Sequence, residues 1–340
     1  MKLPSVSDIT TALEKALLRR LPLTAGQETY RLVDGKGDGI PTLYIDRYKQ
    51  VGVAHLLPER EEVLASYEAH FIKVLTAAAP LFIAHGVTTL YLRTHAKDAR
   101  TQLERPALPL FGERVEELLV TDGAGTYIVK PEGSLHAGLF VDMREVRQRY
   151  LTACTGMRVL NLFCFTGSLG IAAALGGAEE IGQVDSSPAV LTWAKRNFEQ
   201  NFSEHSGQPR PLMKFFCDDC GEFLSREVKR VEKGGRRTDL VIIDPPSFGR
   251  GRKKIFSFKK DIGRLVRDIL AIMTPQGKIL LTTNSRSHTP EDLALLIREE
   301  ALELGMPLPL ITPLVPPTID FPSQGRDSIA MRGVVATLVA

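Results

Sequence analysis

The chain of 340 residues has no run of eighteen apolar residues, so no membrane-spanning helix is expected. Its first twenty residues, MKLPSVSDITTALEKALLRR, lack an apolar signal core and a small-residue cleavage site. That argues against secretion and for a soluble, cytoplasmic protein without a membrane partner. Four cysteines (Cys154, Cys164, Cys217 and Cys220) are too few to form a disulfide scaffold in a chain this long. The seven histidines are scattered and form no HExxH pair, and Cys217-x-x-Cys220 has no second ligand pair. No metal is expected. A GxGxxG dinucleotide turn is also missing, which weighs against a nicotinamide-dependent oxidoreductase.

What is present is an ordinary globular composition, 44% hydrophobic and 24% charged. At roughly 150 residues per domain this predicts about two domains. The net charge of +3 conceals an uneven distribution. From Arg226 to Arg267 there are fourteen Lys and Arg against five Asp and Glu. A concentrated basic segment in a near-neutral chain points to a local polyanion site. A non-enzymatic RNA-binding module would account for that segment alone.

The N-terminal part reads as mixed structure. An amphipathic helix is expected over 7–20, and residues 25–110 read as a small α+β domain with strands at 42–46, 51–57 and 87–93. A strand pair turned at Asp122–Gly125 and a segment passing from strand to helix (138–151) link it to the rest. From 155 the pattern changes. Apolar strands at 158–163, 179–185, 213–217, 239–244 and 278–283 alternate with helices, which is βαβ construction around a mostly parallel sheet. A strand-like C-terminus suggests a closing antiparallel hairpin. The domain boundaries read from this are 1–24, 25–110, 111–154 and 155–340.

Chemistry-bearing residues gather at the predicted strand ends, where open α/β sheets bind ligands. Asn161–Gly170 (NLFCFTGSLG) crosses from the first strand into a helix. Asp185 closes the second strand and can accept from ribose hydroxyls or cap the next helix beside Ser186. Asp218 and Asp219 follow the third strand; one can hold an adenine amino group and the other can cap a helix. Asp244-Pro245-Pro246-Ser247-Phe248 follows DLVII. Two prolines remove backbone donors and hold the chain extended, so Asp244 and the Pro245 carbonyl can face a substrate nitrogen while Phe248 offers a stacking face.

These residues resemble class I S-adenosylmethionine-dependent methyltransferases. The chain is similar, more narrowly, to the bacterial large-subunit rRNA methyltransferases of the cytosine-C5 RlmI and guanine-N7 RlmK types. The resemblance runs over 25–340 through YRLVDGKGDGIPTLYIDRY (30–48), GLFVDMR (138–144), NLFCFTG (161–167), VDSS (184–187), DPPSF (244–248) and TTNSRS (282–287). It implies a Rossmann-like domain with a seven-stranded sheet and S-adenosyl-L-methionine as cofactor. The turn residues Asn161, Phe163, Phe165, Thr166 and Gly167 then underlie the methionine part, and Phe140, Asp142 and Arg144 cover it. Asp185 then resembles the ribose-binding acid and Asp219 the acid near the adenine, with Ser186 and Asp218 beside them as further cofactor-site candidates, and Asp244 stands at the reactive end.

The chain departs from the C5 type in two ways. About 25 residues precede YRLVDG, too few for a PUA domain. Thr282–Arg286 stands where that type carries cysteines. Cytosine C5 needs a thiolate added to C6, whereas a guanine nitrogen already carries a lone pair. Asp244, Pro245, Pro246, Phe248 and Asn284 are therefore expected to orient a guanine N7 or N2 of 23S rRNA, or of a large-subunit assembly intermediate. Arg250, Arg252, Lys253, Lys254, Lys259, Lys260 and Arg286 are expected on RNA phosphates. A homodimer is compatible with this reading.

Overall fold

The computed structural model describes residues 4–57, 64–95, 108–133, 136–150, 153–203, 209–246, 248–250, 255–285, 287–323, 325 and 328–339. The chain divides into two compact units. One is Met1–Arg144 with Pro317–Ser328; the other is Glu145–Pro316 with Ile329–Ala340. This corrects the expectation of an unbroken second domain over 155–340, because a late segment returns to the N-terminal unit.

In that first unit, Ser5 caps α1 (Val6–Arg19), whose Ile9, Leu13, Ala16 and Leu17 recur at helical spacing and are buried. A short α2 (Leu21–Thr24) follows. The sheet runs β1 (Thr29–Asp34), β2 (Leu43–Tyr48), β3 (Val51–Leu56), β4 (Thr89–Thr94) and β5 (Pro109–Phe111), in that spatial order. Only β3 and β4 pair in parallel among these neighbours. Parallel neighbours need a crossover, supplied here by α3 (Leu64–Ala77) and α4 (Ala79–Ala84). One sheet face carries Leu32, Ile45, Ala54 and Leu90 into a core with Leu13 and Phe71. The ribbon β6 (Leu118–Thr121) and β7 (Thr126–Val129) confirms the expected turn at 122–125.

The glycine-rich YRLVDGKGDG stretch is a cradle for the returning segment. Asp34 accepts the Ser323 amide at 2.9 Å on its carboxylate and the Ser323 hydroxyl at 2.6 Å on its carbonyl. Gly37 donates to Ser323 Oγ at 3.0 Å, and a Cβ there would stand 2.4 Å from the Ser323 nitrogen. Only glycine permits that approach. A second correction concerns 138–140, read as a strand. Among the described residues it pairs with no strand; Tyr48 Oη instead donates to the Leu139 carbonyl at 2.7 Å. A 3₁₀ turn at Val141–Met143 then leads into α5 (Arg144–Tyr150).

The second unit contains β8 (Arg158–Leu162), α6 (Ser168–Leu175), β9 (Glu180–Asp185), α7 (Pro188–Phe202), β10 (Leu212–Cys217), α8 (Cys220–Glu232) and β11 (Thr238–Ile243). After these come β12 (Phe248–Arg250), β13 (Ile255–Ser257), α9 (Phe258–Ile272), β14 (Met273–Thr283), α10 (Pro290–Glu303), β15 (Leu310–Leu314) and β16 (Arg332–Thr337). Seven strands lie in the order β10-β9-β8-β11-β14-β16-β15. The first five are parallel, and β16 inserts antiparallel between β14 and β15. This is the doubly wound α/β fold expected from sequence, including its closing hairpin. Strand order reverses between β8 and β11, so the ligand crevice belongs at their carboxyl ends. Leu162, Ile243 and Leu281 join residues of α8, α9 and α10 in the core. Among the described residues no helix is long and apolar enough to cross a membrane.

Candidate active site

The turn after β8 holds two bulky residues in left-handed backbone. Phe163 and Phe165 have φ of 54° and 50°, and Gly167, which caps α6, has 79°. Left-handed φ at a bulky residue costs on the order of 1–3 kcal/mol, so the surroundings must hold it. They do so by hydrogen bonds from several elements. The Phe163 amide donates to Cys220 Sγ at 3.3 Å, the Cys164 amide to the Val184 carbonyl at 3.0 Å, and the Phe165 amide to Asp185 Oδ2 at 3.1 Å. Asn197 Nδ2 donates to the Thr166 carbonyl at 3.0 Å and Gln183 Nε2 to the Gly167 carbonyl at 3.0 Å.

Asn161 completes this support, its Nδ2 donating to Gln183 Oε1 at 2.8 Å. Asn161 is thus tied into the scaffold of the turn. Gln183 and Asn197, both fully buried, were missed in the sequence. A polar residue inside the apolar strand EIGQVD, and another inside α7, were the available signals.

Asp185 lies at the end of β9. Its Oδ1 accepts the Ser187 amide at 2.9 Å and its Oδ2 the Phe165 amide. A carboxylate has about four acceptor positions, so capacity remains for hydroxyl donors. Burial pushes its pKa above the usual aspartate value, against the amides of Ser187, Phe165 and Ser186, which pull it down. Beyond β10 the two acids divide their tasks. Asp219 caps α8, its Oδ1 accepting from Gly221 and Glu222 at 2.9 and 3.1 Å. Asp218 accepts the Asp219 amide at 2.9 Å and pairs with Arg226.

At the end of β11, Asp244 Oδ1 accepts the Thr282 hydroxyl at 2.6 Å, which fixes the carboxylate beside β14. Pro245 is buried and Pro246 exposed. Asn284, after β14, is exposed. The loop beyond Pro246 is a hairpin that sequence analysis did not anticipate, with Phe248 opposite Ser257 and Arg250 opposite Ile255. Phe256 on its return strand packs on Phe163 at 5.2 Å between ring centres. Ser247, Arg252, Lys253, Lys254 and Arg286 lie outside the described residues, as do the side chains of Phe248 and Arg250.

Residues 31–330 match the model of a family described as S-adenosylmethionine-dependent methyltransferase. The chain belongs to this family. It is similar to the ribosomal RNA large subunit methyltransferase K of Neisseria meningitidis, 31% identical over 67% of this chain and 61% of that one. It is also similar to the methyltransferase K/L of Chromohalobacter salexigens, 35% identical over 52% of this chain and 22% of that one. The chain therefore spans less than two thirds of either relative. Among solved structures, the putative methyltransferase SMU.776, complexed with SAH, superposes with a TM-score of 0.80 at 22% identity, over 99% of this chain and 83% of that chain.

The donor set of this chain fits S-adenosylmethionine: a strained turn against which a ligand can lie closely, and a half-buried carboxylate at the next strand end. Phe140, Asp142 and Arg144 belong to the N-terminal unit. Phe140 is exposed and tilted against His136 at 5.3 Å, and Asp142 acts electrostatically on Arg31 and Tyr48. Arg144 is buried in an ion pair with Asp320, an occupation the sequence did not reveal. The ribose contact that the family resemblance implies for Asp185 predicts a pH dependence. Ribose hydroxyls would donate to the ionised carboxylate, so acidification through its raised pKa should weaken cofactor affinity. We expect the fall to begin above the pH at which an ordinary aspartate protonates. Calorimetric titration against pH tests this: the wild type should show the slope and Asp185→Asn should be flat.

The basic segment separates into partnered and presented charges. Arg230 pairs with Glu227 at 2.8 Å, Arg236 with Glu179 at 3.3 Å, and Arg267 with Glu300 at 2.7 Å. Lys259 and Lys260 are exposed on the first turn of α9. There the helix dipole disfavours each cation by about 0.3–1 kcal/mol, an arrangement suited to an incoming polyanion. Buried thiols, meanwhile, are held neutral. Burial pushes Cys154 up to about 11 and raises Cys164 and Cys220 further above the ordinary thiol range.

Proposed function

We propose that this methyltransferase acts on RNA, at a guanine nitrogen (N7 or N2) of 23S rRNA. The observation that carries the reading is Asp244, held by the Thr282 hydroxyl before Pro245-Pro246 at the switch point of the sheet; the buried Cys164 and Cys220 of the same unit are held neutral. Support also comes from relatives named as rRNA methyltransferases and from the lysines of α9. S-adenosylmethionine, when bound, supplies an electrophilic methyl on a sulfonium. Asp185 would hold the ribose, and the 163–167 turn the methionine end. Asp244, the Pro245 carbonyl and Asn284 orient the base so that its lone pair is in line, while Lys259 and Lys260 meet phosphates. No dedicated base is required for N7, since that position carries no proton and the product keeps the positive charge; at N2 the amine releases one proton to solvent after the methyl is transferred. The chemistry is alignment, exclusion of water and support of developing charge.

Incubation with labelled S-adenosylmethionine and rRNA lacking its modifications, followed by nucleoside analysis, tests the proposal. Methylguanosine is expected, whereas label at cytosine C5 would require a thiolate and overturn the nitrogen reading. Asp244→Ala is expected to slow transfer by about 100-fold while leaving cofactor affinity within about threefold, as misplacement of a bound reactant does.

A further inference from the structure

The N-terminal sheet contains a buried cation that forms no ion pair among the described residues. Arg93 on β4 is 4% exposed. Its Nη2 donates to the carbonyls of Pro131 and Lys130 at 2.6 and 3.3 Å, but Nε and Nη1 have no hydrogen-bond partner. Its neighbouring carboxylate, Asp46, is engaged by Arg31 through both oxygens at 2.8 and 3.3 Å. Asp46 therefore offers Arg93 only a field. An arginine cannot shed its charge, and an unsatisfied buried cation is costly. Native structures rarely leave such donors empty, which makes them a pointer to a ligand.

Three histidines lie within electrostatic reach of this guanidinium. His55 stands opposite Arg93 in the β3–β4 register. Its Nδ1 lies 2.9 Å from Nε2 of His95, with the rings stacked. His136 acts electrostatically on His55 and is itself influenced by Arg93 and His95. Burial and the nearby cations push His136 down to about 4 and lower His55 and His95 as well. Neutral imidazoles beside a fixed cation can each donate one N–H to an oxyanion. Arg31 also acts on His55, and Tyr48, kept neutral by burial, donates to the Leu139 carbonyl.

We propose that the N-terminal unit binds a phosphate group at Arg93, ringed by His55, His95 and His136. Its source, on the RNA reading above, is a backbone phosphodiester of the substrate; free inorganic phosphate has the same chemistry. Full-length protein with labelled histidines should be titrated with inorganic phosphate against sodium chloride of equal ionic strength. Parallel arms use a short oligoribonucleotide without terminal phosphates and its neutral methylphosphonate counterpart.

Saturable shifts of His55, His95 and His136 with phosphate and with the oligoribonucleotide, but not with the methylphosphonate, are expected. Arg93→Met should weaken both by at least about tenfold, the value of a charge-assisted hydrogen bond. If Arg93→Met does not fold, the His136→Asn variant, at a position outside the helices and strands, should still weaken phosphate binding. Shifts with phosphate alone support the site and overturn the RNA source. No saturable response beyond chloride overturns the proposal. Methyl transfer is assayed separately: transfer without histidine shifts refutes this site only, and shifts without transfer refute only the methyl-transfer reading.

Discussion

Replacing Arg144 by methionine is expected to destabilise the N-terminal unit by about 3–5 kcal/mol at neutral pH, the cost of leaving one partner of a buried ion pair alone. Arg144 is 3% exposed and Asp320 is fully buried. Arg144 Nη1 reaches Asp320 Oδ2 at 2.9 Å and the Thr29 carbonyl at 3.1 Å, while Asp320 Oδ1 has no partner. Burial already raises the Asp320 pKa, against the pull of Arg144. A raised carboxyl pKa means that the folded state holds its proton more tightly than the unfolded chain. Stability is then lost as pH rises between the ordinary and the raised value. Without Arg144 that window widens upward, so the defect of Arg144→Met should shrink on acidification.

Urea denaturation at several pH values measures this effect. Adding Asp320→Leu should restore most of the stability, because an apolar pair of similar volume tolerates burial. Equal stability of wild type and Arg144→Met at neutral pH would show that the pair is not structural. The double variant also separates the two roles of Arg144: retained cofactor affinity means scaffold, and lost affinity returns it to the cofactor contacts that the family resemblance implies.

Gly170→Ala is the second large effect. Glycine inside a helix is normally worse than alanine by about 1 kcal/mol, so propensity alone predicts a gain in α6. Packing reverses the sign. A Cβ at 170 would stand 2.3 Å from Gln183 Nε2 and 2.6 Å from its Cδ. That amide is fully buried and cannot swing away without releasing both Asn161 and the Gly167 carbonyl. Overpacking and two broken buried hydrogen bonds together cost about 2–4 kcal/mol. The released turn holds Phe163 and Phe165 in strained conformations, so cofactor affinity should fall by about tenfold or more. Chemical denaturation and calorimetric titration check the two parts; unchanged stability would mean that Gln183 does not brace the turn.

Both effects arise where sequence reasoning was blind, and the reason is the same. Asn161 and Arg144 stand inside recognisable motifs, and motif membership suggested ligand contact for each. Their partners, Gln183 and Asp320, lie 22 and 176 residues further along the chain. No local periodicity encodes such a pairing. The returning segment 317–328 was invisible for that reason, as was the hairpin joining Phe248 and Ser257. The uneven charge was correctly located, but it could not be sorted into partnered arginines and presented lysines without the acids before β9 and on α8 and α10.

The sequence by itself determined the doubly wound α/β unit and its strand ends. Buried parallel strands must be continuous apolar runs, and their ends are marked by Asp185, Asp218 and Asp244, where polar groups first become tolerable. Tertiary structure alone decided which polar residues face inward and which carboxylate each arginine meets. It also left Arg93 with donors to spare. Those outcomes depend on register between strands distant in sequence, and burial turns each pairing, or its absence, into free energy.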